Sequence, residues 1–193
     1  LNPDLNPGIK EIIEKEWSIF FYYGPEERQD LMFFYGLISE HPFTIKELSE
    51  RFRVSRSTTI EDLEELEKRA RRFGLELIRR RNFGMQITGS ERAIRRSLRE
   101  AILSIVSEHS LIKICRGAEW DPDPRGPIPF VSEYLSSIPV KESLKFMGEA
   151  EKFLGCSYAD YSKLRLTIHA AILIHRRRSG HKFGTIDFQG LSD

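Results

Sequence analysis

The chain has 193 residues, of which 40% are hydrophobic and 31% charged, and this composition indicates a folded protein rather than a disordered one. The formal net charge is only +1, so binding to nucleic acid can be argued only from local clusters of basic residues. No apolar stretch approaches the roughly 18 residues that cross a bilayer, and the first residues lack a signal-peptide pattern. We therefore expect a cytoplasmic protein of one large or two small domains, with no membrane partner.

Catalytic and metal-binding motifs are absent from the sequence. Cys115 and Cys156 lie far apart and form no metal or redox motif. The sequence also has no phosphate-binding loop and no pairing of a nucleophile with a base. These observations predict a protein that is not an enzyme and that needs no metal or cofactor. Because the first residue is Leu1 rather than Met, we expect the chain to be a segment of a longer protein.

The first segment, residues 1–23, is predicted to be a linker followed by a helix. Residues 1–8 are rich in Asn and Pro, and apolar residues then recur at helical spacing over residues 9–23. Aromatic residues near its end are candidates for a contact between two copies of the chain, with packing onto the local core as the alternative. They are Trp17, Phe20, Phe21, Tyr22 and Tyr23.

A winged helix-turn-helix is predicted over residues 24–89. The first helix starts at Pro25, where proline fits the first turn and two acidic residues follow. A second helix starts at a capping box formed by Thr44 and Glu47, in which each side chain bonds a backbone amide of the other residue. After a short connection, Ser55 is the expected N-cap of a third helix.

The third helix is predicted to end at Gly74, and a two-stranded hairpin follows it. The expected buried stripe of this helix consists of Ile60, Leu63, Leu66, Ala70 and Phe73. The apolar pattern then changes from helical spacing to alternation, which predicts strands over residues 75–79 and 85–88 with a turn between them. Three helices followed by a hairpin is the element order of a winged helix.

The start of the third helix and the hairpin are the candidates for contact with duplex DNA. In a helix-turn-helix, the N-terminal residues of the recognition helix reach base edges in the major groove. Arginine can contact phosphate or guanine, and hydroxyl groups can bond to bases or phosphates. Consecutive arginines in the hairpin suit a wing on the DNA backbone. The predicted DNA-binding residues are Ser55, Arg56, Ser57, Thr58, Thr59, Arg79, Arg80 and Arg81.

The same features also have a purely structural interpretation. Serines at a helix start often serve only as caps, and arginines at a turn are often only solvated. Residues 61–67 of the third helix include several carboxylates and no basic residue, and carboxylates are repelled by phosphates. Glu61 lies one turn beyond Ser57 and is expected on the same side. A module that does not read bases therefore stays open as an alternative.

Beyond the hairpin, the sequence predicts only helices and a linker. Residues 90–130 are predicted to be a connecting helix, from Ser90 to about His109, and a Pro-rich linker over residues 117–129. Two further helices are expected over residues 139–154 and 157–178. The predicted fold class is therefore mainly α, with a winged helix-turn-helix followed by an all-helical segment.

Two stretches resemble the BglG-type transcription regulators, a family that includes mannitol-operon-activator-like proteins. Residues 44–95 resemble the helix-turn-helix modules of this family. Residues 153–184 resemble the first half of its phosphotransferase-system regulation domain, the PRD, and the two stretches occur in the family's own order. The residues that carry the second likeness are Leu154, Gly155, Asp160, His169, Arg176, Gly180 and His181. The resemblance identifies residues 131–193 as a partial PRD.

The resemblance implies a bacterial regulator of sugar-transport genes, controlled by the sugar phosphotransferase system. It implies that His169 accepts phosphate from a phosphocarrier protein or a transporter component, and we expect a homodimer because two-fold operators need two copies. Arg165 and Arg176 share a helical stripe with His169, so they are candidates to support a phosphohistidine. The alternative is an ordinary interfacial histidine. The chain departs from the family at Glu61, where a basic residue is usual.

Overall fold

The computed structural model describes residues 23–115 and 129–182. The helix predicted over residues 9–23 lies outside these residues except for Tyr23, which is not helical, and most of the linker predicted over residues 117–129 also lies outside them. Four of the five aromatic candidates for a contact between copies, Trp17, Phe20, Phe21 and Tyr22, fall in the same excluded segment. Tyr23 is half-buried and packs against the core.

Three helices and a hairpin come first, in the order that the sequence predicts. They are α1 (Pro25–Ile38), α2 (Ile45–Phe52), α3 (Arg56–Arg72), β1 (Leu75–Arg80) and β2 (Gly84–Gly89). Helices follow, namely α4 (Glu91–Ile105), α5 (Glu108–Cys115), α6 (Pro129–Ser137), α7 (Val140–Leu154) and α8 (Asp160–Arg178). The mainly α class, with a winged helix-turn-helix followed by a helical segment, is therefore confirmed.

Hydroxyl caps set the starts of α2 and α3. The Thr44 hydroxyl accepts a hydrogen bond from the Glu47 amide at 3.1 Å, and the Ser55 hydroxyl accepts one from the Thr58 amide at 3.1 Å. The second half of the predicted capping box is wrong, because the Glu47 carboxylate accepts from the Tyr35 hydroxyl of α1 instead. Glu47 thus fastens α2 to α1.

The hairpin packs on the helices and is held by a short third strand segment. β1 and β2 are antiparallel, with Leu77 opposite Ile87, and both side chains face the core. Phe43 and Met85 exchange backbone hydrogen bonds of 2.9 Å and 2.8 Å, which fix β2 to the loop between α1 and α2. This bridge needs a glycine at Gly84, because its φ is +108° and a Cβ there would lie 2.8 Å from the Phe43 carbonyl oxygen.

The predicted buried stripe of α3 is partly wrong. Leu63, Leu66 and Ala70 are buried as expected, but Ile60 is 36% exposed. Thr59 and Asp62 are buried in its place. The helix can bury this more polar side because both groups have partners: the Thr59 hydroxyl donates to the Ser55 carbonyl at 3.0 Å, and Asp62 pairs with α1.

Two helix boundaries after the hairpin also differ from the sequence prediction. The helix that starts at Ser90 ends at Ile105, and Ser107 caps a separate helix by accepting from the Ser110 amide at 3.2 Å. The predicted linker runs to Pro129, but α6 begins at this residue. The Phe130 ring of α6 packs near Phe34, Tyr35 and Phe52. This aromatic contact joins α6 to the winged helix.

The last helices continue the core of the winged helix. α8 packs against α4 through Ile168 and Ile172, which are fully buried in the same apolar cluster as α1 and α3. At the other end of this contact, Arg176 donates to both carboxylate oxygens of Glu91, at 2.6 Å and 2.8 Å. None of the described helices is both long and apolar enough to cross a membrane.

A buried ion pair fixes α3 to α1. The Arg28 guanidinium donates to both carboxylate oxygens of Asp62, at 2.5 Å and 3.1 Å, and the two residues are only 8% and 2% exposed. The Gln29 amide donates to Asp62 at 3.1 Å, and Arg28 also donates to the Tyr23 carbonyl at 3.2 Å. Both charges are therefore paired and hydrogen-bonded, as burial requires.

Replacing Asp62 with alanine should destabilise the fold strongly, because it leaves the Arg28 charge buried without a partner. We expect Asp62→Ala to lower the free energy of unfolding by about 3 kcal/mol, measured by urea titration. The matched control is Glu61→Gln, an exposed neighbour on the same helix, which should change the stability by no more than about 0.5 kcal/mol. Equal unfolding midpoints for the two variants would show that this pair does not support α3.

Candidate nucleic-acid interface

The start of α3 presents polar and basic groups to solvent. Arg56 and Ser57 are exposed, and Arg56 forms no hydrogen bond or ion pair within the described part of the chain. The Ser55 hydroxyl lies 2.7 Å from the Ser57 hydroxyl and 2.9 Å from that of Thr58, so these groups satisfy one another. A helix N-terminus also carries partial positive charge. This end of α3 therefore suits a phosphate or a base edge.

Thr59 is the predicted contact residue that the structure places elsewhere. Its side chain is fully buried, and its hydroxyl lies 2.9 Å from the Ser49 hydroxyl of α2 in addition to its bond with the Ser55 carbonyl. Thr59 therefore joins the two helices of the helix-turn-helix and does not reach a ligand. The spacing of residues along α3 does not predict the burial of Thr59, because it does not reveal which side of α3 faces α2.

The three arginines of the wing have different surroundings. Arg79 donates to the Glu67 carboxylate of α3 at 2.8 Å, so it links the wing to the recognition helix. Arg80 and Arg81 are exposed near the tip of the hairpin, and Arg81 has no ion pair among the described residues. The structure therefore leaves two of the three predicted wing arginines open to a phosphate.

Most carboxylates of α3 are neutralised within the protein. Asp62 is paired with Arg28, and Glu65 accepts from Lys68 at 2.6 Å. Glu67 accepts from Arg71 and Arg79, and the hydrogen bond from Arg71 is the main reason that its pKa is lowered. Only two acidic side chains in this helix, Glu61 and Glu64, are exposed without a hydrogen bond or ion pair to a described residue. The repulsion expected from the sequence is therefore smaller than the number of acids implies.

Two exposed apolar side chains in this region were not predicted as part of the interface. Ile60 lies at the surface of α3 between Ser57 and Glu61, and Phe83 is 59% exposed at the tip of the wing. The helical spacing of Ile60 predicts a core position, which is wrong. Phe83 lies in the predicted turn between the strands, and an aromatic residue shortly after three arginines is the sequence signal that points to it.

His169 lies on the side of α8 that faces α4. It is half-buried, and its Nδ1 atom is enclosed without a hydrogen-bond partner in the described part of the chain. Burial lowers the pKa of His169 below its ordinary value, and the positive charges of Arg99 and Arg95 lower it further. The ring is therefore held in its neutral form at neutral pH.

The two arginines predicted to support His169 have carboxylate partners in the structure. Arg165 donates to the Glu100 carboxylate at 2.7 Å and to the Tyr161 hydroxyl at 3.0 Å. Arg176 donates to both carboxylate oxygens of Glu91. Both predicted supporting arginines are thus already paired with carboxylates of α4. The cations that act on the histidine come from α4 instead, which periodicity along α8 could not reveal.

Comparison with known proteins identifies the first part of the chain. Residues 18–99 match the Mga helix-turn-helix domain. The match spans the whole winged helix and more than half of α4. The matched residues make up less than half of the chain. No curated protein was found to match the chain. A domain of this kind indicates a DNA-binding transcription regulator, and it confirms a helix-turn-helix in this part of the chain, while the BglG-type assignment stays a prediction. The PRD-like residues 131–193 lie outside the match.

The lowered pKa of His169 predicts that stability depends on pH. An unfolded chain protonates a histidine near pH 6.5, whereas the folded chain resists protonation, so the unfolded state gains protons as the pH falls. The free energy of unfolding should therefore fall as the pH is lowered from about 7.5 through 6.5. His169→Gln should weaken this dependence, measured by urea titration at each pH.

Part of the dependence should survive in His169→Gln, because burial lowers the pKa of His175 as well. A His169→Gln variant with the same pH dependence as the wild type would show that this ring does not resist protonation in the folded state.

Proposed function

We propose that the chain is part of a transcription regulator of sugar-phosphotransferase-system genes that binds duplex DNA as a homodimer. Phosphorylation of His169 by a phosphocarrier protein or transporter component controls it, and it acts in the cytoplasm. The observation that carries the DNA-binding part is the exposed guanidinium of Arg56 at the N-terminus of α3, within a segment that matches a helix-turn-helix domain.

In this proposal the start of α3 enters the major groove and the wing lies on the adjacent backbone. Arg56 contacts a guanine or a phosphate, and the hydroxyls of Ser55, Ser57 and Thr58 exchange their mutual hydrogen bonds for bonds to DNA. Exposed cations near the wing tip, at Arg80 and Arg81, bind neighbouring phosphates. Arg79 contributes indirectly, since its bond to Glu67 sets the position of the wing against the recognition helix.

A second candidate function is a structural and dimerisation module that does not itself read bases. The exposed carboxylates of Glu61 and Glu64 favour it, because they lie on the side of α3 that would approach DNA. The bond between Arg79 and Glu67 also favours it, because this arginine already serves a structural purpose. In that case another helix-turn-helix of the whole regulator reads the operator.

The two candidates are separated by the salt dependence of duplex binding. We expect the chain to bind a labelled duplex at low salt, with an affinity that falls steeply as KCl rises. Arg56→Ala should weaken binding, and a fall of about 0.9 in the slope of log K against log salt would assign its contact to a phosphate rather than to a guanine. Glu61→Gln should tighten binding to any duplex, since a repelling charge is removed.

The matched control is Lys141→Ala, an exposed cation at the start of α7, which should leave the slope unchanged. The absence of binding at low salt by the wild-type chain would contradict the first candidate. If Glu61→Arg then gave salt-dependent binding, the carboxylate at this position would account for the difference and the structural module would be favoured.

Support for His169 as the phosphate acceptor comes from its surroundings. The ring is partly exposed and held neutral, so a nitrogen lone pair is available for transfer at neutral pH. The charges of Arg95 and Arg99 on α4 affect its titration. Arg95 lies 3.5 Å from Glu91 and Arg99 donates to Glu100 at 2.7 Å, so both would exchange a carboxylate for an added phosphoryl group. Phosphorylation would thereby change the contact between α4 and α8.

Phosphate acceptance is tested with a radiolabelled phosphocarrier protein. We expect the wild-type chain to be labelled, with the label lost in His169→Ala, because this ring is the proposed acceptor. His175→Ala is the matched control, since His175 is the other half-buried histidine of α8, and it should be labelled as the wild type is. Equal labelling of the two variants would exclude His169 as the acceptor.

A further inference from the structure

The wing ends in a tight turn that displays an aromatic ring. The Phe83 amide donates to the Arg80 carbonyl at 3.1 Å, which closes a turn over residues 80–83. Asn82 adopts a positive φ of 62°, a conformation that asparagine tolerates better than most residues. The chain reverses direction within these residues, and the Phe83 side chain is left 59% exposed.

Contacts on both sides of the turn hold it in position against the rest of the domain. Directly after Phe83, Gly84 passes close to the Phe43 carbonyl, and Met85 is joined to Phe43 by two backbone hydrogen bonds. Behind the turn, Arg79 is bonded to Glu67 of the recognition helix. Phe83 is therefore presented by a braced hairpin, at a set position relative to α3, rather than by a free loop.

The charges around Phe83 indicate what kind of surface it meets. The Arg80 guanidinium lies 5.9 Å from the centre of the Phe83 ring, and Arg81 is exposed without an ion pair in the described part of the chain. The tip thus combines an apolar ring with two cations and no carboxylate. A polyanion with apolar surface between its charges complements this arrangement, and the minor groove of DNA is such a surface.

We propose that Phe83 enters the minor groove beside the major-groove site of α3 and packs against a base step, which it partly unstacks and kinks. Arg80 and Arg81 then hold the phosphates on either side. This inference rests on the DNA-binding function proposed above and adds to it a source of sequence preference. Flexible pyrimidine–purine steps such as TA are the easiest to open, so they should occur under the wing in favoured sites.

Insertion of the Phe83 ring between bases, here called the wedge, and a contact of an arginine with phosphate contribute differently to the salt dependence of the affinity. Binding of an arginine to phosphate releases counterions and contributes to the salt dependence of the affinity, whereas packing of a ring against bases does not. Loss of the ring should therefore weaken binding equally at every salt concentration. Loss of an arginine should weaken it most at low salt. This difference separates the wedge from a wing that contacts only the backbone.

The experiment uses the whole 193-residue chain and a duplex selected by it from a random pool. The fluorescent base 2-aminopurine replaces each adenine of the selected site in turn, because its emission rises when it is unstacked. We expect the wild type to raise the emission at one step and to enrich TA there. Phe83→Ala should abolish that rise and weaken binding about tenfold with no change in salt slope. Phe83→Leu should retain much of both effects.

Arg81→Ala is the matched control at the same turn. It should lower the salt slope by about 0.9 while the rise in emission persists. Salt-dependent binding by the wild type that Phe83→Ala leaves unchanged in affinity and emission would overturn the wedge and keep the DNA-binding function. If the wild-type chain selected no duplex at all, the proposed DNA-binding function itself would fail.

Discussion

The position of the recognition helix depends on the ion pair that Arg28 and Asp62 form between α1 and α3. Both charges are removed from water, so the pair tolerates little displacement without a large loss of free energy. Because the Arg28 guanidinium also bonds the Tyr23 carbonyl, the same contact holds the residues directly before α1. This pair holds α3 against α1 with Arg56 exposed, together with the ion pair between Arg69 and Asp30 and the buried apolar side chains of α3.

That ion pair also changes how the acidity of α3 should be understood. Carboxylates repel a phosphate backbone, yet most of those in α3 form ion pairs within the protein. Asp62 fixes the helix, Glu67 fixes the wing, and Glu65 is neutralised by Lys68. The remaining unpaired charge of the helix lies at Glu61 and Glu64, so the repulsion of a phosphate backbone is limited to these two exposed side chains.

The sequence predicts the structural features that depend on neighbouring residues, such as helix caps. It does not predict contacts between residues that lie far apart in the chain. The caps at Thr44 and Ser55 were visible because a cap needs only residues three positions apart. The burial of Asp62 was not, since its partner Arg28 lies 34 residues away in sequence. The cations around His169 were missed for the same reason. The sequence prediction has no helix over residues 130–137, because the Pro-rich linker is predicted to run to Pro129, although proline is common in the first turn of a helix.

The bond between Glu91 and Arg176 has a consequence for how a signal can travel. Glu91 is the first residue of α4, two positions after the wing, and Arg176 lies two turns beyond His169 on α8. The Glu91–Arg176 ion pair thus joins α8 to the segment that directly follows the wing. α4 also contacts both α1 and α8. A displacement of α8 would therefore act through this pair on the first residue of α4, which lies two positions after the end of the wing.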